Sequence, residues 1–153
     1  MAVATFSMTR STTVDAPPER VHALLDDFRA WQQWSPWETV DPNLSRTYAG
    51  PDRGVGSRYA WSGNRKAGQG TMEITSSTPT AVVVDLRFLK PFEATNVTRF
   101  DLTPVGDGTR VDWTMTGERT AVMSVMGKLY FDKAIGKDFE KGLASLKAAA
   151  ERS

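Results

Sequence analysis

Cysteine is absent from this chain, which excludes disulfide bonds, thiolate chemistry and cysteine-ligated zinc or iron–sulfur centres. Histidine occurs once, as His22, and no clustered ligand spacing accompanies it, so we expect no bound metal and no cofactor. The 19 Lys and Arg residues nearly balance the 18 Asp and Glu residues. The resulting net charge of +1 gives no general attraction to nucleic acid, and we expect no nucleic-acid partner.

Long apolar runs are also missing. No segment approaches the roughly 20 consecutive apolar residues that a membrane-spanning helix needs, so we expect no stable membrane insertion. The first residues, "MAVATFSMTRSTT", lack the basic region and apolar stretch of a signal peptide. The sequence therefore predicts a cytoplasmic protein.

The length and composition fit one domain. The 153 residues are 40% hydrophobic and 24% charged, an ordinary mixture for a chain that can bury a core. No internal repeat, low-complexity tract or linker divides them. We therefore predict a single domain over residues 1–153.

The N-terminal pattern predicts one strand followed by two short helices. Apolar residues alternate over residues 5–14, as in a half-buried strand, and Pro18 suits the first turn of a helix. A stripe at helical spacing follows, made of Val21, Leu24, Leu25 and Phe28. The second short helix should carry Trp31 and Trp34 and end near Ser35, because proline disfavours helix in the residue before it.

Strand patterns fill the middle of the chain, and a helix pattern ends it. Alternating segments occur at residues 44–50, 56–63, 68–77, 81–89, 96–105 and 109–117. A final amphipathic stripe comprises Phe131, Ile135, Phe139, Leu143 and Leu146. We therefore predict an α+β fold in which a curved antiparallel sheet of six to seven strands wraps around a long C-terminal helix.

The predicted inner face of the sheet is rich in aromatic residues and methionine. Its members are Tyr59, Trp61, Met72, Phe88, Phe100, Trp113 and Met115. Such side chains are adaptable and common around apolar ligands, although core packing is the alternative for each of them. As a group they favour a cavity between sheet and helix.

Five further residues are candidates for the same cavity. Arg10 lies in phase with the inward-facing residues of the first strand, where Glu38 could neutralise it. Trp37 could close the narrow end. An apolar segment before the last helix could form a gate, and it contributes Met126, Tyr130 and Phe131.

Four blocks of sequence resemble a known group in the same order. They are "VDAPPERVHALLDDFRAWQQWSPWE", "YAWSGN…GQGTMEI", "GTRVDWTMTGE" and "AIGKDFEKGLASLK". They resemble the SRPBCC group of START-like, Bet v 1-like helix-grip proteins, in the polyketide cyclase/dehydrase-like branch. The resemblance covers about residues 5–151. It implies the helix-grip fold and leaves the activity open, because a shared fold does not carry chemistry.

The favoured function is the binding of a small hydrophobic molecule, lipid-like, polyketide-like or aromatic. Two alternatives stay open: a polyketide cyclase/dehydrase-type enzyme that uses the same cavity, and a non-catalytic accessory or interaction protein. The sequence identifies no catalytic residue and no oligomeric state.

Overall fold

A computed structural model describes residues 3–35, 43–64, 68–90, 94–120 and 132–152. Seven strands are present: β1 (Val3–Val14), β2 (Ser45–Ala49), β3 (Arg58–Ser62), β4 (Gln69–Thr78), β5 (Ala81–Lys90), β6 (Ala94–Val105) and β7 (Gly108–Thr120). Helix α1 (Pro18–Leu25), a 3-10 helix (Ala30–Gln33) and helix α2 (Asp132–Arg152) complete the described fold. The predicted α+β helix-grip fold is confirmed.

All seven strands form one antiparallel sheet in the order β1-β7-β6-β5-β4-β3-β2. β1 and β7 pair along their whole lengths, from Val3 opposite Thr120 to Val14 opposite Thr109. β2 and β3 are much shorter, with five residues each. The register shifts between Ile74 and Ser76 in β4, a bulge that bends this strand. The side of the sheet formed by the long strands β1 and β7 is therefore its wide end. The side formed by the short strands β2 and β3 is its narrow end.

The N-terminal tryptophans close the end of helix α1. The indole N–H of Trp31 donates to the Leu25 carbonyl, and that of Trp34 donates to the Leu24 carbonyl, each at 2.9 Å. The last carbonyls of a helix have no partner within the helix, so these bonds satisfy groups that burial would otherwise leave unpaired. Trp31 and Trp34 are both buried. The short predicted helix is a single 3-10 turn that carries Trp31 into this position.

Helix α2 packs on the wide end of the sheet. Its buried stripe comprises Phe139, Leu143, Leu146, Ala149 and Ala150. The Phe139 ring stacks on that of Trp113 in β7, with centroids 4.0 Å apart and planes 7° apart. The Lys147 ammonium donates to the Thr13 carbonyl at 3.1 Å and ties the helix to the edge strand β1. The C-terminal half of the predicted stripe is thus core.

A carboxylate on the outer face also joins β1 to β7. The Ser11 hydroxyl donates to Asp112 and lowers the pKa of its carboxyl group, partial burial opposes this, and the Arg110 guanidinium at 3.1 Å lowers it further. Because this pKa is depressed in the folded protein, the ionised group stabilises the fold above the unfolded-state pKa of about 3.9. That contribution is lost as the pH falls through the folded-state pKa.

We expect Asp112→Asn to lower the free energy of unfolding by about 1 kcal/mol or less near pH 7. The difference between variant and native protein should shrink at acid pH, as the pH falls through the lowered folded-state pKa of the native carboxyl group. Urea denaturation near pH 7 and at acid pH measures it. A difference that stays constant or grows at acid pH would contradict this role for Asp112.

Candidate functional site

Cross-strand pairing places the inner-face side chains in four rows. The rim row comprises Arg46, Trp61, Gly70 and Phe88. The second row comprises Tyr48, Tyr59, Met72, Leu86, Asn96 and Gly117. The third row comprises Ile74, Val84, Thr98, Met115 and Met8, and the fourth comprises Val82, Phe100, Trp113 and Arg10.

In strands β5, β6 and β7 the burial of inward side chains falls from the fourth row to the rim row. Phe100 and Trp113 are 0% and 1% exposed, and they stack on each other with ring centroids 5.0 Å apart. Trp34 meets both rings edge-on at 5.8 and 5.6 Å. From β5 to β7 the fourth row is therefore closed core beneath the 3-10 helix and helix α2, whereas Arg10 on the edge strand β1 is partly exposed. Met115 in the third row is buried as well. The predicted contact of these inner residues with a ligand stays a prediction.

Side chains from the rim row and the second row together form a half-buried surface of four aromatic residues and one methionine. We call this surface the aromatic rim. Its members are Tyr48, Tyr59, Trp61, Met72 and Phe88. Tyr59 is buried, whereas the other four are only partly buried against the core. The Tyr48 and Tyr59 rings lie 5.3 Å apart, Tyr59 stacks on Trp61 at 6.1 Å, and Trp61 meets Phe88 edge-on at 5.8 Å. The rings form one continuous apolar surface.

Gly70 allows the Trp61 ring to lie across strand β4. A Cβ atom at this position would stand 2.4 Å from Cη2 of Trp61 and 2.5 Å from the Arg87 carbonyl oxygen. Both distances are far shorter than van der Waals contact. The glycine therefore makes space on the inner face for an indole that belongs to the neighbouring strand.

We expect Gly70→Ala to lower the free energy of unfolding by about 1–3 kcal/mol and to move the Trp61 ring off β4. Thr71→Ala, on the exposed face of the same strand, is the matched control and should change stability by about 0.5 kcal/mol or less. Urea denaturation followed by tryptophan fluorescence measures both effects. Equal stability of the two variants would mean that β4 and β5 can separate at no cost.

Tyr48 was missed by the sequence reasoning, although the alternation in "SRTYA" carries the signal. Its hydroxyl accepts a hydrogen bond from the Gln32 amide at 2.7 Å, and the Arg29 guanidinium lies 4.5 Å from its ring centroid. Both contacts come from the segment around the 3-10 helix. The tyrosine is thereby held at the outer margin of the aromatic rim.

Arg10 lies between β1 and helix α2. Its guanidinium lies so close to Gly136 that a Cβ there would stand 2.6 Å from Nη2. Its Nε is 3.9 Å from Glu140 of the helix, and Nη1 donates to the Thr9 carbonyl at 2.9 Å. The side chain is 39% exposed. Arg10 therefore has its ion-pair partner on the helix, and its predicted contact with a ligand stays a prediction.

Several predicted site residues cannot be placed. Trp37, Met126, Tyr130 and Phe131 lie outside the described residues, as does the proposed Arg10 partner Glu38. Their roles as wall or gate of a cavity stay predictions.

His22 contacts strand β4 and a carboxylate of its own helix region. Its Nε2 lies 3.0 Å from the Ser77 hydroxyl of β4, and its Nδ1 lies 3.6 Å from a carboxylate oxygen of Asp26. The order serine, histidine, aspartate is that of a nucleophile with its base and acid. However, 3.6 Å exceeds hydrogen-bonding distance, so the carboxylate does not hold the ring in one tautomer. We interpret the contact as a connection between α1 and β4.

A groove of about 410 Å³ lies on the opposite, solvent-facing side of the sheet. Small side chains such as Ala60 and Thr71 form its floor, and charged residues of both signs, Arg58, Glu73, Asp85 and Arg87, surround it. Its lining also includes Tyr59 and Met72 of the aromatic rim, and its charged residues are those of an ordinary solvent-exposed sheet face.

The described ranges contain neither a candidate metal site nor a candidate membrane-spanning helix. No group of three or more metal-ligating side chains occurs among these residues. None of the helices in this part of the chain combines the length and apolar character needed to cross a membrane.

The sequence and the fold are similar to those of known proteins. The family described as "Polyketide cyclase / dehydrase and lipid transport" matches residues 5–151. Among solved structures, Mll3558 from Rhizobium loti is 21% identical with a TM-score of 0.70, covering 97% of this chain and 99% of that one. CV1439 from Chromobacterium violaceum is 17% identical with a TM-score of 0.69, covering 95% and 96%.

The structure of Ara h 8.0201 extends this likeness. It is 11% identical with a TM-score of 0.62, covering 98% of this chain and all of that one (100%). At such identities these structures support the fold alone. No curated protein matches the sequence.

Proposed function

Because the chain belongs to the polyketide cyclase/dehydrase and lipid transport family, we propose that it binds a small, mostly apolar molecule on the aromatic rim, between the sheet and helix α2. The predicted resemblance to SRPBCC, Bet v 1-like proteins is thereby confirmed. The family includes both enzymes and carriers, so the side chains must decide between them.

The observation that supports binding is the half-buried state of the aromatic rim. Trp61, Met72 and Phe88 keep part of their surface uncovered by the core, whereas the fourth row beneath the helices is sealed. Aromatic and methionine side chains adapt to apolar ligands, and half-buried ones gain further burial when a ligand covers them.

The energetics are sufficient for such a ligand. Burying about 300 Å² of apolar surface yields about 7 kcal/mol at about 25 cal/mol per Å². Association and ordering offset several kcal/mol of this gain. Affinities from about millimolar to micromolar follow from shape alone.

The chemistry of the inner face favours binding over catalysis. The four rows comprise described residues only, and their ionisable groups are the guanidinium groups of Arg10 and Arg46 and the phenol groups of Tyr48 and Tyr59. Cyclisation of a reactive chain calls for a positioned acid or base. These rows contain no carboxylate or histidine, the usual bases at neutral pH, which disfavours the cyclase alternative.

A fluorescence titration with N-phenylnaphthylamine, an uncharged apolar probe, tests the proposal. We expect saturable binding to one site, weakened about three- to tenfold by Trp61→Ala, because an aromatic contact contributes about 0.5–1.5 kcal/mol. Val97→Ala is the matched control, since it removes exposed apolar surface from the outer face of β6. If the two variants bind the probe equally well, or if the native protein does not saturate, the proposal fails.

A further inference from the structure

We propose that Thr98 and Asn96 form a polar station on the inner face, which recognises a neutral oxygen of the bound molecule, a hydroxyl or a carbonyl. This inference rests on the proposed function and narrows its ligand class. The molecule would be an oxygenated apolar compound rather than a hydrocarbon.

The two residues occupy inward positions of β6 that an apolar strand would fill with aliphatic side chains. Asn96, Thr98, Phe100 and Leu102 alternate on one face and are all buried, with Asn96 at 5% and Thr98 at 3% exposure. Phe100 and Leu102, the two inward positions that follow Asn96 and Thr98 along the strand, are apolar. In the sequence, "NVTRFDL" thus shows two polar residues that alternate in phase with two apolar ones.

The neighbours of Thr98 do not satisfy its hydroxyl. Directly opposite on the flanking strands are Val84 and Met115, neither of which offers a strong side-chain hydrogen-bonding group. Thr98 Oγ1 is a buried atom with no hydrogen-bond partner among the described residues. Such orphan groups are uncommon in native proteins and destabilise them, so each calls for an explanation.

Among the described residues, another buried threonine of the sheet shows the usual arrangement. Thr109 is fully buried, and its hydroxyl donates to the Ala16 carbonyl at 2.8 Å. A valine at position 98 would fill nearly the same volume without an unpaired oxygen. The unpaired Thr98 hydroxyl lowers the stability of the unbound protein, as groups kept for ligand contact often do. A ligand that hydrogen-bonds to the hydroxyl would give it a partner.

Asn96 connects Thr98 to the aromatic rim. It lies in the second row, directly opposite Leu86, which in turn lies opposite Met72. Its amide offers both donors and an acceptor. A molecule lying on the rim therefore meets Asn96 first and Thr98 one row deeper.

The charge of the station selects the ligand group. Both side chains are neutral, and their immediate cross-strand neighbours are aliphatic residues, methionine and glycine. A carboxylate at this depth would lose its hydration without gaining a counter-charge, whereas a hydroxyl or carbonyl needs only one or two hydrogen bonds.

Naphthalene and 2-naphthol, which differ by one hydroxyl group, are suitable probes. We expect the native protein to bind 2-naphthol about fivefold more tightly than naphthalene, the effect of one net hydrogen bond. Thr98→Val should remove this preference and leave naphthalene binding unchanged. Thr98→Ser, which keeps the hydroxyl, should retain the preference. Competition with N-phenylnaphthylamine measures all affinities.

Thr103→Val is the matched control, because it makes the same change on the exposed face of the same strand. It should leave the preference intact. Thr98→Val should also melt at the same temperature as the native protein or higher, since it removes an unpaired buried oxygen.

A preference that survives Thr98→Val overturns the polar station, and so does equal binding of both probes by the native protein. In either case the proposed function stands. Failure of both probes to bind the native protein would instead overturn the proposed function and this inference with it.

Discussion

Phe139→Ala is expected to lower the free energy of unfolding by about 3–5 kcal/mol, the usual effect of removing a fully buried aromatic ring. Phe139 is 0% exposed and stacks on Trp113 at 4.0 Å. The substitution removes the contact through which helix α2 holds the fourth row of the sheet. It also leaves a cavity that the two stacked rings of Phe100 and Trp113 cannot fill without moving.

Urea denaturation followed by circular dichroism measures this effect. Lys141→Ala, at an exposed position of the same helix, is the matched control and should change stability by about 0.5 kcal/mol or less. A loss below about 1 kcal/mol for Phe139→Ala would mean that α2 is not held by this stack, and the described packing would be wrong.

Trp34→Ala should have a similar effect, about 3–5 kcal/mol, and Trp34→Phe a smaller one of about 1–3 kcal/mol. The two variants separate packing from hydrogen bonding. Phenylalanine keeps an aromatic ring against Phe100 and Trp113 but leaves the Leu24 carbonyl of helix α1 without its donor. Alanine removes both interactions.

Nuclear magnetic resonance of the indole N–H groups offers an independent check. In the native protein the Trp31 and Trp34 signals should exchange slowly with solvent, because both groups are bonded and buried. If Trp34→Phe and the native protein have the same free energy of unfolding, the hydrogen bond to the Leu24 carbonyl contributes nothing to stability.

The fold was largely predictable because burial imposes a period on the sequence. Alternation in "TRVDWTMTG" indicates that Trp113 and Met115 face the same way, and both are buried in the sheet. Spacing of three and four likewise identifies Phe139 and Leu143 as the buried face of α2. These signals are local, so one sequence suffices to find them.

The site was less predictable because its contacts join distant segments. His22 and Ser77 are 55 residues apart in the sequence, and no pattern around either residue predicts the contact between them. Gly70 lies in β4, inside the predicted strand segment 68–77, but the sequence does not show that it makes space for Trp61. Alternation identifies the residues of the inner face but cannot tell the closed fourth row from the half-buried rim, because that depends on where the helices pack.

The central claim, that an apolar molecule binds on the aromatic rim, is tested most directly by carbon-13 labelling of the methionine methyl groups. Met72 lies in the second row and is partly buried, whereas Met115 lies one row deeper and is 3% exposed. Titration with naphthalene, which lacks the hydroxyl group that would reach Thr98, should move the Met72 signal, assigned through Met72→Leu, in a saturable manner and the Met115 signal much less. Saturable binding that leaves the Met72 signal in place would show that the ligand site is elsewhere and would contradict the account.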